Sequence, residues 1–276
     1  MTQGVKVDQE KFHLKLPKIE QTFKIRGFRK FEGIIKTATI SKNPSNEFYA
    51  SILIDDNKEV LQKKEIKRET SIGIDVGIKH FATLSNGEKI DNPKNTKKYA
   101  KSLAKHQKRL SRKVKGSNRR NKQKLKVAKI HQKISNSRND FQHKVSTKLV
   151  KEFDTICIET LSVKNMIKNQ NLSKSISDCA WSKFFTMLDY KCNWHGKNLL
   201  KLGRFEPSSK ICSCGVVNQK LTLRDREWTC QSCNTTHDRD ILAANNILHF
   251  CLQKQNLIAV STMDNSFENM ESLALA

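Results

Sequence analysis

The chain has 276 residues, with 52 Lys and Arg against 27 Asp and Glu, a formal charge of +25. A surplus of that size selects a polyanionic partner, nucleic acid or an anionic membrane. No apolar run approaches the roughly 20 residues that span a bilayer, and MTQGVKVDQEKFHLKLPKIE at the start lacks the apolar core of a secretory signal. The expected partner is therefore nucleic acid and the expected location cytoplasmic. Eight cysteines without such a signal argue for thiols or metal ligands and against disulfides.

Residues 1–70 read as a β-rich, basic segment. FEGIIKTATI and FYASILID are β-branched and aromatic runs, and KNPSNE between them is turn material, which predicts a hairpin. The runs carry no catalytic signature.

A second unit begins at SIGID (71–75), a short apolar strand that ends in Asp75. HFATL is the next strand, and SNGEK supplies a tight turn with Gly87 placed for positive φ, so a meander is expected. Residues 94–139 hold 18 Lys and Arg and no Asp or Glu. Tyr99, Leu103, Leu110 and Val114, then Val127, Ile130 and Ile134, then Phe141, Val145 and Leu149, recur near the helical period, while Gly116-Ser117-Asn118 interrupts it. The expectation is a basic helical hairpin. Solubilising lysines usually alternate with glutamates four residues away, and their absence favours phosphate contact over a merely solvated face.

DTICIET (154–160) repeats the pattern of a short apolar strand ending in an acid, here Glu159. Trp181, Phe184, Phe185, Leu188 and Cys192 follow at helical spacing and read as core. Cys157, Cys179, Cys192 and Cys251 are scattered and read as small buried hydrophobes. NLLKLGRF (198–205) is a further strand, a helix is expected from about Asp238 to Leu252, and residues 253–276 are expected to be a disordered tail.

Two constellations carry chemistry. Strand C-termini in open α/β sheets face the functional crevice, so Asp75 and Glu159 converge if their strands are neighbours. Asp240, at the start of the last helix, is a candidate third carboxylate. Three crowded carboxylates repel unless cations neutralise them. Oxygen-only ligands suit Mg²⁺ or Mn²⁺, and paired ions of that kind hydrolyse phosphodiesters. The bland alternatives are a strand terminus for Asp75, a surface ion pair for Glu159, an N-cap at Asp238 and a helix-end charge at Asp240. The second constellation is Cys212, Cys214, Cys230 and Cys233. Fifteen residues separate Cys214 from Cys230, a spacing that implies a structural zinc ribbon. Its first knuckle has one intervening residue in place of two, and His237 is an alternative ligand.

GIDVGIKHFATLSNG, ICIETLSVKNM and SSKICSCG…LTLRDREWTCQSCNTTHDRDILAANNI together resemble the TnpB (OrfB) family of transposon-encoded, RNA-guided DNA endonucleases, which are related to the type V CRISPR effectors. The resemblance covers most of residues 25–250. It implies an α/β, RNase H-like (RuvC-type) nuclease domain over 71–252. Into that domain would be inserted the helical segment, about 94–150, and the zinc ribbon, about 208–236. A β-rich, wedge-like segment over 1–70 would precede it. By position, the resemblance makes Asp75, Glu159 and Asp240 the catalytic acids and Cys212, Cys214, Cys230 and Cys233 the zinc ligands. Target DNA and a guide RNA from the transposon end are the implied partners. Three departures stand out: a late start relative to the family, the short first knuckle, and Leu242 where the family has asparagine. Together they predict a shortened or degenerate copy, and Leu242 in particular a loosened active site. The alternative is a catalytically inactive, RNA-guided or general nucleic-acid-binding protein.

Overall fold

The computed structural model describes residues 4–203, 206, 208–222 and 225–255, so the expected tail lies, from 256 onward, outside the described residues. The chain divides into two compact units. One takes the chain up to Val60 together with Ala100–Lys133, and the other takes the remainder.

The first unit contains β1 (Lys6–Asp8), β2 (His13–Lys15) and β3 (Thr22–Lys24) in one antiparallel sheet. It also contains β4 (Ile34–Lys42) and β5 (Phe48–Asp55), the expected hairpin. The hairpin turn follows from its chemistry. The Asn43 side-chain oxygen accepts from the N–H groups of Ser45 and Glu47, and Asn46 takes φ +64°, both habits of asparagine in turns.

The basic helices are α1 (Asn95–Ser111) and α2 (Asn118–Glu152). They break at the expected place, with Gly116 at φ +81°. Arg120 secures the break by donating to the carbonyls of Leu110 and Lys113, each at 2.9 Å.

The second unit is built on a five-stranded sheet of β6 (Ser71–Val76), β7 (His80–Leu84), β8 (Lys89–Asp91), β9 (Thr155–Glu159) and β10 (Asn198–Leu202), in the order β10-β9-β6-β7-β8. β6, β9 and β10 are parallel, and β7 and β8 fold back antiparallel as a meander. Gly87 turns that meander at φ +90°.

Strand alternation gives the sheet two different faces. Ile72, Ile74, Ile156 and Ile158 point to one side, onto Val145 and Leu149 of α2 and onto Trp181, Phe184 and Leu188 of α5 (Trp181–Trp194), which follows the short helices α3 (Val163–Met166) and α4 (Ser173–Cys179). The aromatic stripe therefore packs as core, and Phe81 joins it edge-on to Phe141 and Phe184. Gly73, Asp75, Cys157 and Glu159 point to the other side. A helix over residues 239–255, α6, lies there, with Ile247, Leu248 and Cys251 packed on Cys157 and Leu202. All four scattered cysteines are buried, as their reading as hydrophobes requires.

Candidate active site

The parallel register pairs Ile74 with Ile158 and Gly73 with Cys157. One step further along both strands, Asp75 and Glu159 stand side by side at the strand ends. They share a face, on strands about 4.8 Å apart.

The third acid reaches them because of a glycine. A Cβ at Gly73 would lie 2.1 Å from the Ala244 carbonyl oxygen and 2.9 Å from the Leu248 Cβ, so α6 seats on β6 only where the strand has no side chain. From that point of closest approach, Asp75 is two residues up the strand, about 6.6 Å. Asp240 is one turn back from Ala244 along the helix, about 6 Å. The two carboxylates are thus brought to the same level from one close approach. A glycine inside a buried strand signals such an approach, so this signal was present in IGID.

Asp238, the other acid of HDRD, plays the bland part foreseen for it. Its Oδ1 accepts from the N–H groups of Asp240 and Ile241, both at 3.0 Å, and so caps α6. Burial opposes its ionisation, but Lys89 and those N–H groups outweigh the burial and hold its pKa below the usual carboxylate value. Asp240 is left to face the cleft.

The cleft has a volume of about 900 Å³, and its wall includes Asp75, Glu159 and Asp240 together. Burial, then the neighbouring Asp240 and Glu159 charges, push the Asp75 carboxyl up to about 7, against partial relief from Arg239. Burial also raises Glu159. Such upward shifts mark carboxylates short of positive charge. Carboxylate oxygens with that deficit are the ligand type that hard divalent cations take, while among the described residues only Cys212, Cys214, Cys230 and Cys233 bring three or more ligand atoms within 4.8 Å of one another.

Around the acids the same wall carries Lys79, Lys94, Lys210, Arg226 and Arg239. These cations were missed in the sequence, where isolated basic residues in a chain of +25 give no signal. Arg226 lies with one nitrogen 3.4 Å from each oxygen of Asp240.

The cysteine segment packs against α6. The four sulfurs of Cys212, Cys214, Cys230 and Cys233 all lie within 4.8 Å of one another. Cys212 to Cys233 is 3.5 Å and Cys214 to Cys230 is 3.6 Å. Four sulfurs at about 2.3 Å from one tetrahedral centre would be about 3.8 Å apart, so the set fits zinc despite the short first knuckle. That knuckle closes because Gly215 takes φ +89° and donates its N–H to the Cys212 carbonyl.

His237 sits with Nε2 3.0 Å from the Cys212 sulfur and its ring against Trp228. It is a hydrogen-bond partner of one cysteine, and the four sulfurs close up without it. β11 (Glu227–Thr229) and β12 (Thr236–Asp238) pair to form the hairpin that carries Arg226 at its foot. Leu242 is buried among Cys212, Leu221, Trp228 and Cys230. It is not on the cleft wall and fills the space between α6 and the cysteine segment. Beside it, the Asn246 amide donates to the carbonyls of Ser208 and Ile211, each at 2.7 Å.

Residues 46–170 match the OrfB_IS605 family model, described as "Probable transposase", and residues 181–247 match the Cas12f1-like TNB domain. The chain is 46% identical over 213 residues to a "Putative RNA-guided DNA endonuclease" of Streptomyces pristinaespiralis, covering 77% of this chain and 52% of that one. It is 33% identical over 261 residues to "Putative RNA-guided DNA endonuclease InsQ" of Escherichia coli K12, covering 89% of this chain and 64% of that one. The chain thus spans between about half and two thirds of these relatives. Its fold is similar to a chain of a CRISPR-Cas12f ternary complex, with TM-score 0.50 and 18% identity over 73% of this chain and 42% of that one.

Proposed function

We propose that this chain, which belongs to the TnpB (OrfB) family, is an RNA-guided, metal-dependent DNA endonuclease with Asp75, Glu159 and Asp240 as its catalytic acids. In this reading the five-stranded unit is an RNase H-like, RuvC-type nuclease domain and the cysteine segment its zinc ribbon. The observation that carries it is electrostatic: Asp75 is held near pKa 7 by burial and by Asp240 and Glu159. Carboxylates from three distant parts of the chain therefore act on one another, which is a cost with no return unless cations occupy the cleft.

Asp75, Glu159 and Asp240 would hold the divalent ions. Bound there, such ions supply activation of the attacking water and stabilisation of the leaving oxygen. The protein's own work is placement. β6 and β9 fix two carboxylates in register, α6 brings the third, and Lys79, Lys94 and Lys210 offer charge to the phosphates of the strand being cut. The basic helices α1 and α2 bind phosphate backbone of the guide or target, and pairing with the guide selects the sequence.

The test is cleavage of target DNA by protein co-expressed with its flanking RNA, in Mg²⁺ and in EDTA. Cleavage is expected in Mg²⁺ only and is lost in Asp75→Ala, Glu159→Ala and Asp240→Ala, with nucleic-acid binding retained. Binding without cleavage by the unmodified chain in Mg²⁺ or Mn²⁺ would establish the inactive, binding-only alternative.

A further inference from the structure

Arg226 is an odd neighbour for an acid meant to bind a cation. Its guanidinium is 3.4 Å from both oxygens of Asp240, longer than the roughly 2.7–2.9 Å of a well-seated charge-assisted bond. Its side chain is 52% exposed while that of Asp240 is 21% exposed. The Arg226 backbone is firmly held, since its carbonyl accepts from the Arg239 N–H at 2.8 Å. The backbone is thus fixed to the start of α6 while the charged end is loosely placed over the carboxylate. A guanidinium matches a phosphate at least as well as it matches a carboxylate, and in the same forked geometry.

From this geometry, and resting on the metal-dependent reading above, we infer that Arg226 is an exchangeable counter-ion of Asp240. Without nucleic acid it covers the carboxylate and weakens cation binding there. When a DNA strand enters the cleft, a backbone phosphate takes the guanidinium and Asp240 is released to the metal. Metal loading is then coupled to strand entry, and the coupling is reciprocal. Arg226 is a positioning residue in this scheme. Its place at the foot of the β11–β12 hairpin gives the cysteine segment a part in the chemistry of the acids.

The experiment is Mn²⁺ binding, read as free Mn²⁺ by electron paramagnetic resonance, on the zinc-loaded full chain without nucleic acid. Binding of a single-stranded DNA oligonucleotide in EDTA is measured alongside. Arg226→Gln is expected to bind Mn²⁺ about two- to fivefold more tightly, the range set by an exposed ion pair, and to bind the oligonucleotide more weakly. Arg226→Lys keeps the charge without the fork and should fall between. Lys210→Gln, in the same cleft but not paired with Asp240, should weaken the oligonucleotide and leave Mn²⁺ affinity nearly unchanged. Unchanged or weaker Mn²⁺ binding in Arg226→Gln would overturn the inference. So would an equal gain in Lys210→Gln, since that is a field effect of any nearby cation. Asp240→Asn separates the two levels. If it binds Mn²⁺ as the unmodified chain does, the acidic centre itself is wrong and the inference goes with it. If it loses Mn²⁺ while Arg226→Gln gains nothing, only the role of Arg226 fails.

Discussion

Replacing Asp75 by asparagine should make the metal-free protein more stable, by an amount that depends on pH. The carboxyl titrates at 3.8 when free and near 7 in the folded chain, where burial and the two neighbouring acids disfavour its charge. Between those values the folded state holds a proton that the unfolded state has released. Stability therefore falls as pH rises through that window and levels off above about 7. The span is about 3 pH units at about 1.4 kcal/mol each, roughly 4 kcal/mol in all. Asparagine has no charge to suppress, so its advantage is nil near pH 4 and fully developed by about pH 7.5. For a chain of this size about 1 kcal/mol corresponds to about 2–4 °C in Tm, so the difference in EDTA should approach roughly 10 °C. Scanning calorimetry of both proteins in EDTA, from about pH 4 to about pH 8, measures it. Adding Mn²⁺ at the upper end of that range should then raise the Tm of the unmodified chain and leave Asp75→Asn nearly unmoved. Equal Tm values for the two proteins at every pH would refute the reasoning, because Asp75 would then be an ordinary strand-end acid.

Gly73→Ala forces a Cβ to within 2.1 Å of the Ala244 carbonyl. It should cost about 1–3 kcal/mol or more as α6 is pushed off the sheet and reduce cleavage on the order of 100-fold, since a shift of about 1 Å at the acids suffices. Denaturant unfolding and single-turnover cleavage read the two effects. The cysteine cluster should hold one zinc per chain by mass spectrometry, absent in Cys233→Ser and kept in His237→Ala, since four sulfurs converge without the imidazole. Nucleic-acid affinity should fall steeply with salt. Lys122→Gln with Lys126→Gln, on the exposed side of α2, should reduce the log–log slope by about 0.9 for each phosphate the chain no longer neutralises. An unchanged slope would return those lysines to solubility.

What was legible in the sequence was whatever neighbouring residues decide among themselves. Alternation in SIGID and TICIE makes strands because branched apolar side chains fit a buried pleat. The lysine-rich segment makes two helices with a break at Gly116 because its apolar residues recur at the helical period and glycine accepts positive φ. The four cysteines form a cluster because two short-range knuckles each preset a pair of sulfurs. Positions that depend on packing partners far along the chain were not legible. Leu242 lies two positions from Asp240, yet its side chain packs with Trp228 and Cys212, because a helix residue two positions away points elsewhere. The grouping of Ala100–Lys133 with the N-terminal strands, the order of the five-stranded sheet, and the seating of α6 on Gly73 were all settled by tertiary packing. So was the pairing of Arg226 with Asp240. A sequence specifies which residues want burial or charge, whereas the partner each one finds depends on which distant surfaces close-pack, and only the folded chain determines that.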